Sequence, residues 1–557
     1  MGIEGLQGNL LGIRHQKLIE LSKLYRRRIP QDQVSTQEFN RELCAAAFEL
    51  GRELGALISR RGRVEQVIVG EPRSLPMPEV GESRGDPSRL RGLRLIHARL
   101  TGEGMAEEDL TALGLLRFDA VLAVQVDGEG FPGKSWLAHL LPYNAEGKSH
   151  EVLPPFAPGR MDVDFQELIR SLEEEFARGR HRRDASREGV ILVGTAAPGG
   201  KKGEGIDALA ELRELCRSAG VEVVGEVSQR RPKPHPRTVL GPGKLRETVI
   251  KAMQLGAVTL VFDRELSPSQ INAIQKITEL KVVDRSQLIL DIFAQRASTR
   301  EGKIQVELAQ LNYNLPRLVG HGVDMSRLTG GIGSRGPGES KLEIDRRRSR
   351  ERIHRLKKEL EDIRRTRAQK REKRRSRSVP IVSIVGYTNA GKSTLLNQLT
   401  DSKVPVEDKM FATLDPTSRR LRFPREREIV VTDTVGFIRE LPEELMEAFR
   451  ATLEELEDAD LFLHVVDAAD PSWEGQIQAV DRILKTLELD RTPRILVFNK
   501  TDLIDAQQAA ERLDRFPDSI LVSAINKKSF RPLLEMMERA LFEDTEEDGE
   551  AEETAGT

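Results

Sequence analysis

Cysteine is nearly absent, with only Cys44 and Cys216 in 557 residues. Two scattered thiols, with no ligand-type residues patterned around them, argue against a disulfide framework and a cysteine zinc site; they fit a reducing compartment. Aromatic residues are also scarce, at 4%, whereas charged residues reach 32%. That balance suits a well-solvated and largely helical chain. Neither sign of charge dominates: 87 Lys and Arg against 89 Asp and Glu leave a net charge of -2. Any strongly charged surface must therefore come from local segregation. No apolar run approaches the roughly 20 residues needed to span a bilayer. The opening Met1–Leu6 has no basic stretch leading into an apolar one, and Leu6 stands where a myristoylation signal wants Ser or Thr. The expectation is a soluble, cytoplasmic protein without a membrane span, read as a monomer because nothing demands a dimer.

A chain of this length implies about three or four domains. Residues 1–187 open with two helical patterns, over Gln16–Arg28 and Thr36–Arg60. Short apolar runs follow at Val67–Val69, Leu93–Ala98 and Ala120–Val126. This reads as a small α/β extension of unknown role, and no chemical motif stands out in it. Arg178–Arg187 is basic and aperiodic, a linker. Residues 188–302 alternate apolar runs (Val190–Val193, Val221–Val224, Val258–Phe262, Val282–Val283) with helical segments (Ile206–Cys216, Leu245–Gln254, Pro268–Leu280). Repetition of this kind predicts a parallel α/β domain.

Residues 303–377 change character. Ile304, Leu308, Leu311, Leu315 and Leu318 recur at steps of four and three, and Ile353, Leu356, Leu360 and Ile363 repeat likewise. Two narrow stripes predict a long antiparallel helical hairpin, with Pro316 ending or kinking its first helix. The second helix is dense in Arg and Lys from Arg346 to Arg377, and the turn Gly320–Gly338 carries His321, Arg327 and Arg335 among its glycines. From Pro380 the pattern becomes a P-loop, Ras-like GTPase domain over 378–542, and the acidic Glu543–Thr557 reads as a disordered tail.

The nucleotide chemistry is concentrated in that domain. The apolar run Ile381–Val385 leads into Gly386-Tyr387-Thr388-Asn389-Ala390-Gly391-Lys392-Ser393, and a helical pattern follows from Thr394. Strand, glycine loop and helix are the context that a phosphate loop demands. Gly386 and Gly391 let backbone N–H groups wrap around phosphates, and the helix adds its positive end. Lys392 is expected at the β- and γ-phosphates and the Ser393 hydroxyl on Mg²⁺. Ile429–Val431 runs into Asp433-Thr434-Val435-Gly436. Asp433 is a metal candidate, and the Gly436 N–H is placed to sense the γ-phosphate. Leu461–Val466 precedes Asp467, and Ile495–Phe498 delivers Asn499-Lys500-Thr501-Asp502. The Asp502 carboxylate can accept from both guanine N1 and N2, a pairing adenine does not offer. Ser523-Ala524, followed by Ile525, closes the base side with a backbone contact for guanine O6.

Between these motifs, Phe411-Ala412-Thr413-Leu414-Asp415 lies where a first switch belongs. Thr413 is the chosen second metal hydroxyl, with Thr417, beyond Pro416, as the competitor. The nominal catalytic set is Lys392, Thr413 and Gly436. After Asp-x-x-Gly, where many switch GTPases place a water-orienting Gln, stands Phe437. Intrinsic hydrolysis is therefore expected to be slow and to depend on a partner. Asn389 either helps to hold a K⁺ ion in the part of an arginine finger or makes local hydrogen bonds.

These residues resemble the HflX family of bacterial ribosome-associated GTPases. The matching stretches are Gly225–Arg231, Thr238–Lys244, Phe262–Gln270, Asp284–Ala297, Leu308–Leu318, Gly330–Arg347, Asp433–Leu441 and Ala448–Glu455, together with the nucleotide motifs. The likeness covers about residues 188–542. It implies binding of GTP and Mg²⁺, association with the large ribosomal subunit, and a part in splitting or rescuing stalled or idle ribosomes. The base-side loop Ile525-Asn-Lys-Lys-Ser529 departs from the pattern in lacking a glycine.

A thin, cationic tip at Gly320–Gly338 and the basic edge Arg346–Arg377 suit ribosomal RNA, in a salt-sensitive way. The bland alternative is a solvated face with local ion pairs, such as Arg355 with Glu351 or Glu359. Leu240-Gly241-Pro242-Gly243-Lys244 is either a second, ATP-type phosphate site or a turn opening a helix. The competing functions are an ATP-dependent RNA- or ribosome-remodelling enzyme built on the α/β domain, which Asp502 argues against, and a GTPase of tRNA modification.

Overall fold

The computed structural model describes residues 5–78, 80, 89–142, 144, 148–181, 189–196, 204–319, 341–375, 379–400, 410–411, 417–423, 427–434, 436–438, 446 and 456–542. Two compact units emerge, 1–205 with 221–283, and 206–220 with 284–557. The expected acidic tail, the Gly320–Gly338 tip and Ala412–Asp415 fall outside the described residues. Among the described residues no helix is long and apolar enough to cross a membrane. Cys44 and Cys216 are both buried free thiols, and burial pushes each up to about 12.

The first unit holds two sheets. The larger has seven strands in the order β1-β3-β2-β4-β5-β6-β7. These are β1 (Leu6–Gly8), β2 (Leu54–Ser59), β3 (Val64–Val69), β4 (Leu93–Arg99), β5 (Ala120–Val126), β6 (Pro132–Leu140) and β7 (His150–Val152). Its helices are α1 (His15–Ser22), α2 (Gln37–Leu50), α3 (Glu107–Leu115) and α4 (Phe165–His181). The helical pattern expected over Thr36–Arg60 is corrected here. Thr36 caps α2, Gly51 stops it with φ +62, and Leu54–Ile58 enter the sheet as a strand buried along five consecutive residues. A strand covered on both faces has no alternation and so reads as a continuation of the helix before it.

The second sheet runs in the order β11-β10-β8-β9, with β10, β8 and β9 paired in parallel. It comprises β8 (Gly189–Ala196), β9 (Glu222–Arg230), β10 (Ala257–Phe262) and β11 (Lys281–Asp284), with α6 (Pro242–Gln254) and α7 (Pro268–Gln275) in the connections. Leu240–Lys244 is the start of α6: Gly241 is its N-cap, with its N–H held by Gln229 Oε1 at 2.8 Å, and Lys244 pairs with Glu247 at 2.9 Å. The two sheets are joined through α3 and α6. Arg246 reaches Glu107 at 3.0 Å, Arg91 reaches Glu279 at 2.9 Å, and Leu115 packs onto the parallel sheet's core.

The second unit contains α5 (Glu204–Ala219, mostly), α8 (Arg285–Arg296), the helical hairpin and a six-stranded sheet. In the hairpin, α9 (Arg300–Asn314) and α10 (Lys341–Arg375) share a core of Ile304, Leu308, Leu356 and Leu360, flanked by Leu311, Ile353 and Ile363. Arg300 Nε meets Glu359 at 3.0 Å and Arg352 meets Glu307 at 2.7 Å. Seven residues forward on α9 is thus seven back on α10, which makes the pair antiparallel in heptad register. Pro316 follows the end of α9 and lies in a single 3₁₀ turn, Leu315–Val319.

Beyond the hairpin, a six-stranded sheet runs β13-β14-β12-β15-β16-β17. Its strands are β12 (Ile381–Gly386), β13 (Thr417–Arg422), β14 (Glu428–Asp433), β15 (Leu461–Asp467), β16 (Arg494–Asn499) and β17 (Ile520–Leu521). All neighbours pair in parallel except the edge strand β13. The helices are α11 (Lys392–Thr400), α12 (Trp473–Thr486), α13 (Ala506–Arg515) and α14 (Arg531–Phe542). This order brings the carboxyl ends of β12, β14, β15 and β16 together, where a doubly wound sheet receives its ligand.

Candidate functional site

The loop from β12 to α11 wraps tightly. Gly386 has φ +150, and a Cβ there would sit 2.2 Å from the Val465 carbonyl, so the chain passes β15 only because the side chain is missing. A Cβ at Gly391 would meet Asn499 Nδ2 at 2.3 Å. Asn389 is exposed and has φ +62, a left-handed conformation that Asn tolerates better than most residues. Lys392 is buried and donates to the Tyr387 carbonyl at 2.7 Å. Burial lowers its ammonium to about 8, against the pull of Asp433.

Ser393 Oγ donates to Asp433 Oδ2 at 2.6 Å, bringing a hydroxyl and a carboxylate from two motifs together at the start of α11. Both are the hard oxygen donors that Mg²⁺ takes, so the residues present fit that ion. Thr434, buried, anchors the turn by donating to the Ile384 carbonyl at 2.7 Å. Gly436 packs against the loop: a Cβ there would lie 2.8 Å from Thr388 Cγ2 and 2.9 Å from Lys392 Nζ. Phe437 follows with a fully buried ring, and its backbone clamps the loop: its N–H donates to Gly386 O at 3.0 Å, and its carbonyl accepts from Thr388 N at 2.8 Å. A side chain so placed offers no hydrogen bond to an attacking water. Thr394 continues α11, whereas Val435 lies outside the described residues.

On the base side, Asn499 ties three motifs together. It is 1% exposed, donates to the Ala390 carbonyl at 2.8 Å and accepts the Ala524 N–H at 2.9 Å. Thr501 and Asp502 form a short 3₁₀ turn, and Ser523 Oγ donates to Asp502 Oδ1 at 2.6 Å. The glycine-free loop is held by side chains that sequence reading passed over. Ser529 Oγ receives the Ser523 N–H at 3.1 Å and donates to the Asn526 carbonyl at 2.7 Å, and Asn526 Oδ1 accepts from Lys528 N at 3.2 Å. Ile525 is 74% exposed at the lip of this loop.

Glu211 on α5 was also missed. It accepts from the Tyr387 hydroxyl at 3.1 Å and pairs with Arg285 at 2.6 Å, linking the phosphate loop to two helices outside the GTPase sheet. Further along α5, Ser218 Oγ accepts from Met410 N at 2.9 Å. Among the residues expected to form the first switch, Phe411 is described, buried with φ +57; Ala412, Thr413, Leu414 and Asp415 are outside the described residues.

Parts arranged in this way define a P-loop GTPase with a Ras-like sheet. Three family models match in series, described as GTP-binding GTPase N-terminal over 207–294, GTP-binding GTPase Middle Region over 296–374, and 50S ribosome-binding GTPase over 381–500. The GTPase HflX of Caldanaerobacter subterraneus subsp. tengcongensis is 46% identical over 373 residues, spanning 67% of this chain and 83% of its own. That of Lacrimispora saccharolytica is 51% identical over 319 residues, covering 57% and 75%. The Escherichia coli GTPase HflX is 46% identical over 310 residues, covering 56% and 72%. The chain belongs to the HflX family of GTPases. A solved GTP-binding protein of Sulfolobus solfataricus in complex with GDP aligns with 64% of this chain and 99% of its own, at 24% identity and a TM-score of 0.36.

Proposed function

We propose that this GTPase works on the large ribosomal subunit, splitting, rescuing or helping to mature ribosomes as it turns over GTP. The observation that carries the reading is the basic face of α10. Arg347, Arg348, Arg350, Arg352, Arg355, Lys357 and Lys358 are exposed, while Leu356 and Leu360 are buried against α9. A helix of 35 residues, about 50 Å long, thus presents a cationic edge over residues 347–358. Such an edge suits the phosphate-lined surface of ribosomal RNA, with the Gly320–Gly338 turn as the probing tip. The description of the family model over 381–500 points the same way.

Within the pocket, Lys392 and the loop N–H groups hold the β- and γ-phosphates. Ser393, Asp433 and Thr413 hold Mg²⁺, which neutralises phosphate charge when bound. Gly436 senses the γ-phosphate, Asp502 selects guanine, and Ser523-Ala524 closes over the base. Phe437 leaves the water unoriented, so turnover waits on the ribosome. The ATP-driven alternative finds no support in the parallel sheet, where Gly241 and Lys244 already have partners.

The test is GTP turnover with and without purified large subunits, on the intact chain and on one lacking Gly320–Gly338. Stimulation of the intact chain alone is expected; equal stimulation of both removes the tip from the reading, and stimulation of neither removes the ribosome. The same assay in K⁺ and in Na⁺ tests a K⁺ ion held through Asn389. Equal rates would leave that residue with its left-handed backbone as its reason for being Asn.

A further inference from the structure

Asp467 ends β15 abreast of Asn499, its register partner on β16. Its carboxylate is held at both oxygens: Oδ2 meets Lys500 Nζ at 2.7 Å, and Oδ1 accepts the Ala469 N–H at 3.0 Å. The main chain repeats the tie, since Ala468 N donates to the Asn499 carbonyl at 2.9 Å. From α13, Arg512 Nη2 reaches the Ala468 carbonyl at 3.4 Å and so braces the same turn. Lys500 itself takes a left-handed backbone, φ +61 and ψ 35. A residue with a side chain is uncommon there and needs its surroundings to hold it.

A free lysine stem samples many rotamers, and ordering it on binding a ligand costs affinity. Here the ordering is already done. The ion pair is largely withdrawn from solvent, with the Lys500 and Asp467 side chains 26% and 17% exposed, so screening weakens it less than it would a surface pair. The lysine lies between Asn499, which anchors the phosphate loop, and Asp502, which is assigned to the base edge. Its methylenes offer an apolar surface, and their direction is set by where the ammonium is tied.

We infer that Asp467 is a positioning residue for the guanine base: it pins the Lys500 ammonium so that the lysine stem is preset to lie against the bound ring. The inference rests on the reading of Asn499–Asp502 as the base site. Asp467 acts through Lys500 and touches no phosphate, so its effect belongs to binding and not to the hydrolytic step. Diphosphate and triphosphate feel it equally, because both carry the same base.

The test uses the full chain and a ribose-labelled fluorescent GDP, with Asp467→Asn, Lys500→Met and the double variant. The Asp467→Asn side chain keeps an acceptor for the Ala469 N–H but turns an amide towards the ammonium. Each single variant is expected to release the labelled GDP about fivefold faster, as loss of a modest ion-pair contribution predicts. The KM for GTP rises by a similar factor while kcat stays within about twofold. The double variant is expected to be no worse than Lys500→Met alone, because the aspartate has no other route to the nucleotide. Lys500→Met interrupts the same link from the more exposed side, so it reports even where Asp467→Asn folds poorly. An unchanged release rate in both singles, or losses that multiply in the double, overturns the inference. Asp502→Asn separates the two readings, since an amide there can donate to the 2-oxygen of xanthine. A preference shifted from GTP to XTP upholds the base site whatever Asp467 does, and no shift overturns the base site itself.

Discussion

Phe293 on α8 and Phe411 meet edge to face, with ring centroids 4.6 Å apart and planes at 78°. Both rings are buried, and the backbone at Phe411 is left-handed with φ +57. An uncommon backbone conformation at the edge of the segment expected to form the first switch is thus locked by a residue outside the GTPase sheet. Edge-to-face pairs contribute about 0.5–1.5 kcal/mol beyond their buried area. In a Trp136→Phe background, urea unfolding of Phe293→Leu, Phe411→Leu and the double variant, followed at Trp473, is expected to give a coupling of about 1 kcal/mol. Strict additivity would show that the rings are neighbours without being partners.

Gly436→Ala tests how closely the second switch must approach the phosphate loop. The new Cβ would lie 2.9 Å from Lys392 Nζ and 3.0 Å from Thr388 Cα, and the second of these is backbone that cannot swing aside. GTP turnover is expected to fall on the order of 100-fold, as misplacement near reacting groups does. GDP affinity should change far less, since the role proposed for Gly436 lies with the γ-phosphate. Comparing labelled-GDP affinity with single-turnover hydrolysis checks this, and an equal loss in both would place Gly436 in general nucleotide binding.

The GTPase pocket was legible because its chemistry sits in short strings, each holding neighbours that act on one ligand. The helical hairpin was legible for a related reason, its stripes being repeated at fixed spacing on two helices. Residues that act through distant partners were not. Glu211 meets Tyr387 only in three dimensions, and Ser529 replaces a glycine's conformational freedom with hydrogen bonds that no motif encodes. The edge strand β13 was passed over because Thr-Ser-Arg-Arg-Leu-Arg has a single apolar residue, Leu421. The β2 strand was absorbed into α2 although Gly51 marked the break.

His97 carries a pH dependence of known sign. It is 2% exposed on β4, with Nδ1 at 2.8 Å from Asp109 Oδ1 and Nε2 at 3.1 Å from Glu53 Oε2. Burial lowers its pKa, but hydrogen bonds and charge from the two carboxylates win and raise it to about 9 from 6.5. The folded state therefore binds the proton more tightly than the unfolded chain. The stabilisation is complete below pH 6.5 and is lost as pH rises through about 9, on the order of 3 kcal/mol. In a Trp473→Phe background, Trp136 reports this domain alone, because the chain has only 2 tryptophans. Its urea midpoint is expected to fall between pH 6.5 and about 9, and His97→Gln is expected to flatten the slope. A slope that survives the substitution would move the titration elsewhere.

The hairpin separates two kinds of contribution along one seam. Leu356 is 1% exposed between α9 and α10, whereas the Arg352–Glu307 pair is 47% and 42% exposed. Removing a buried leucine's methyl groups costs about 2–5 kcal/mol, because the space left behind collapses only in part. An exposed ion pair contributes about 0–1 kcal/mol even with good geometry, since water screens it and two long side chains are ordered to make it. Leu356→Ala is therefore expected to raise amide exchange across α9 and α10 by roughly one and a half to three and a half orders of magnitude, taking about 1.4 kcal/mol per tenfold change. Arg352→Ala should change exchange less than about fivefold. The same two variants bear on the ribosome. Leu356→Ala keeps every cationic side chain but loosens the helix that displays them, whereas Arg352→Ala removes one cationic side chain from an intact edge. If rigidity matters more than charge count, subunit-stimulated turnover drops further in Leu356→Ala, and only Arg352→Ala lowers the salt dependence of binding. The reverse order would mean that α10 acts as a flexible polycation, with its heptad seam irrelevant to docking.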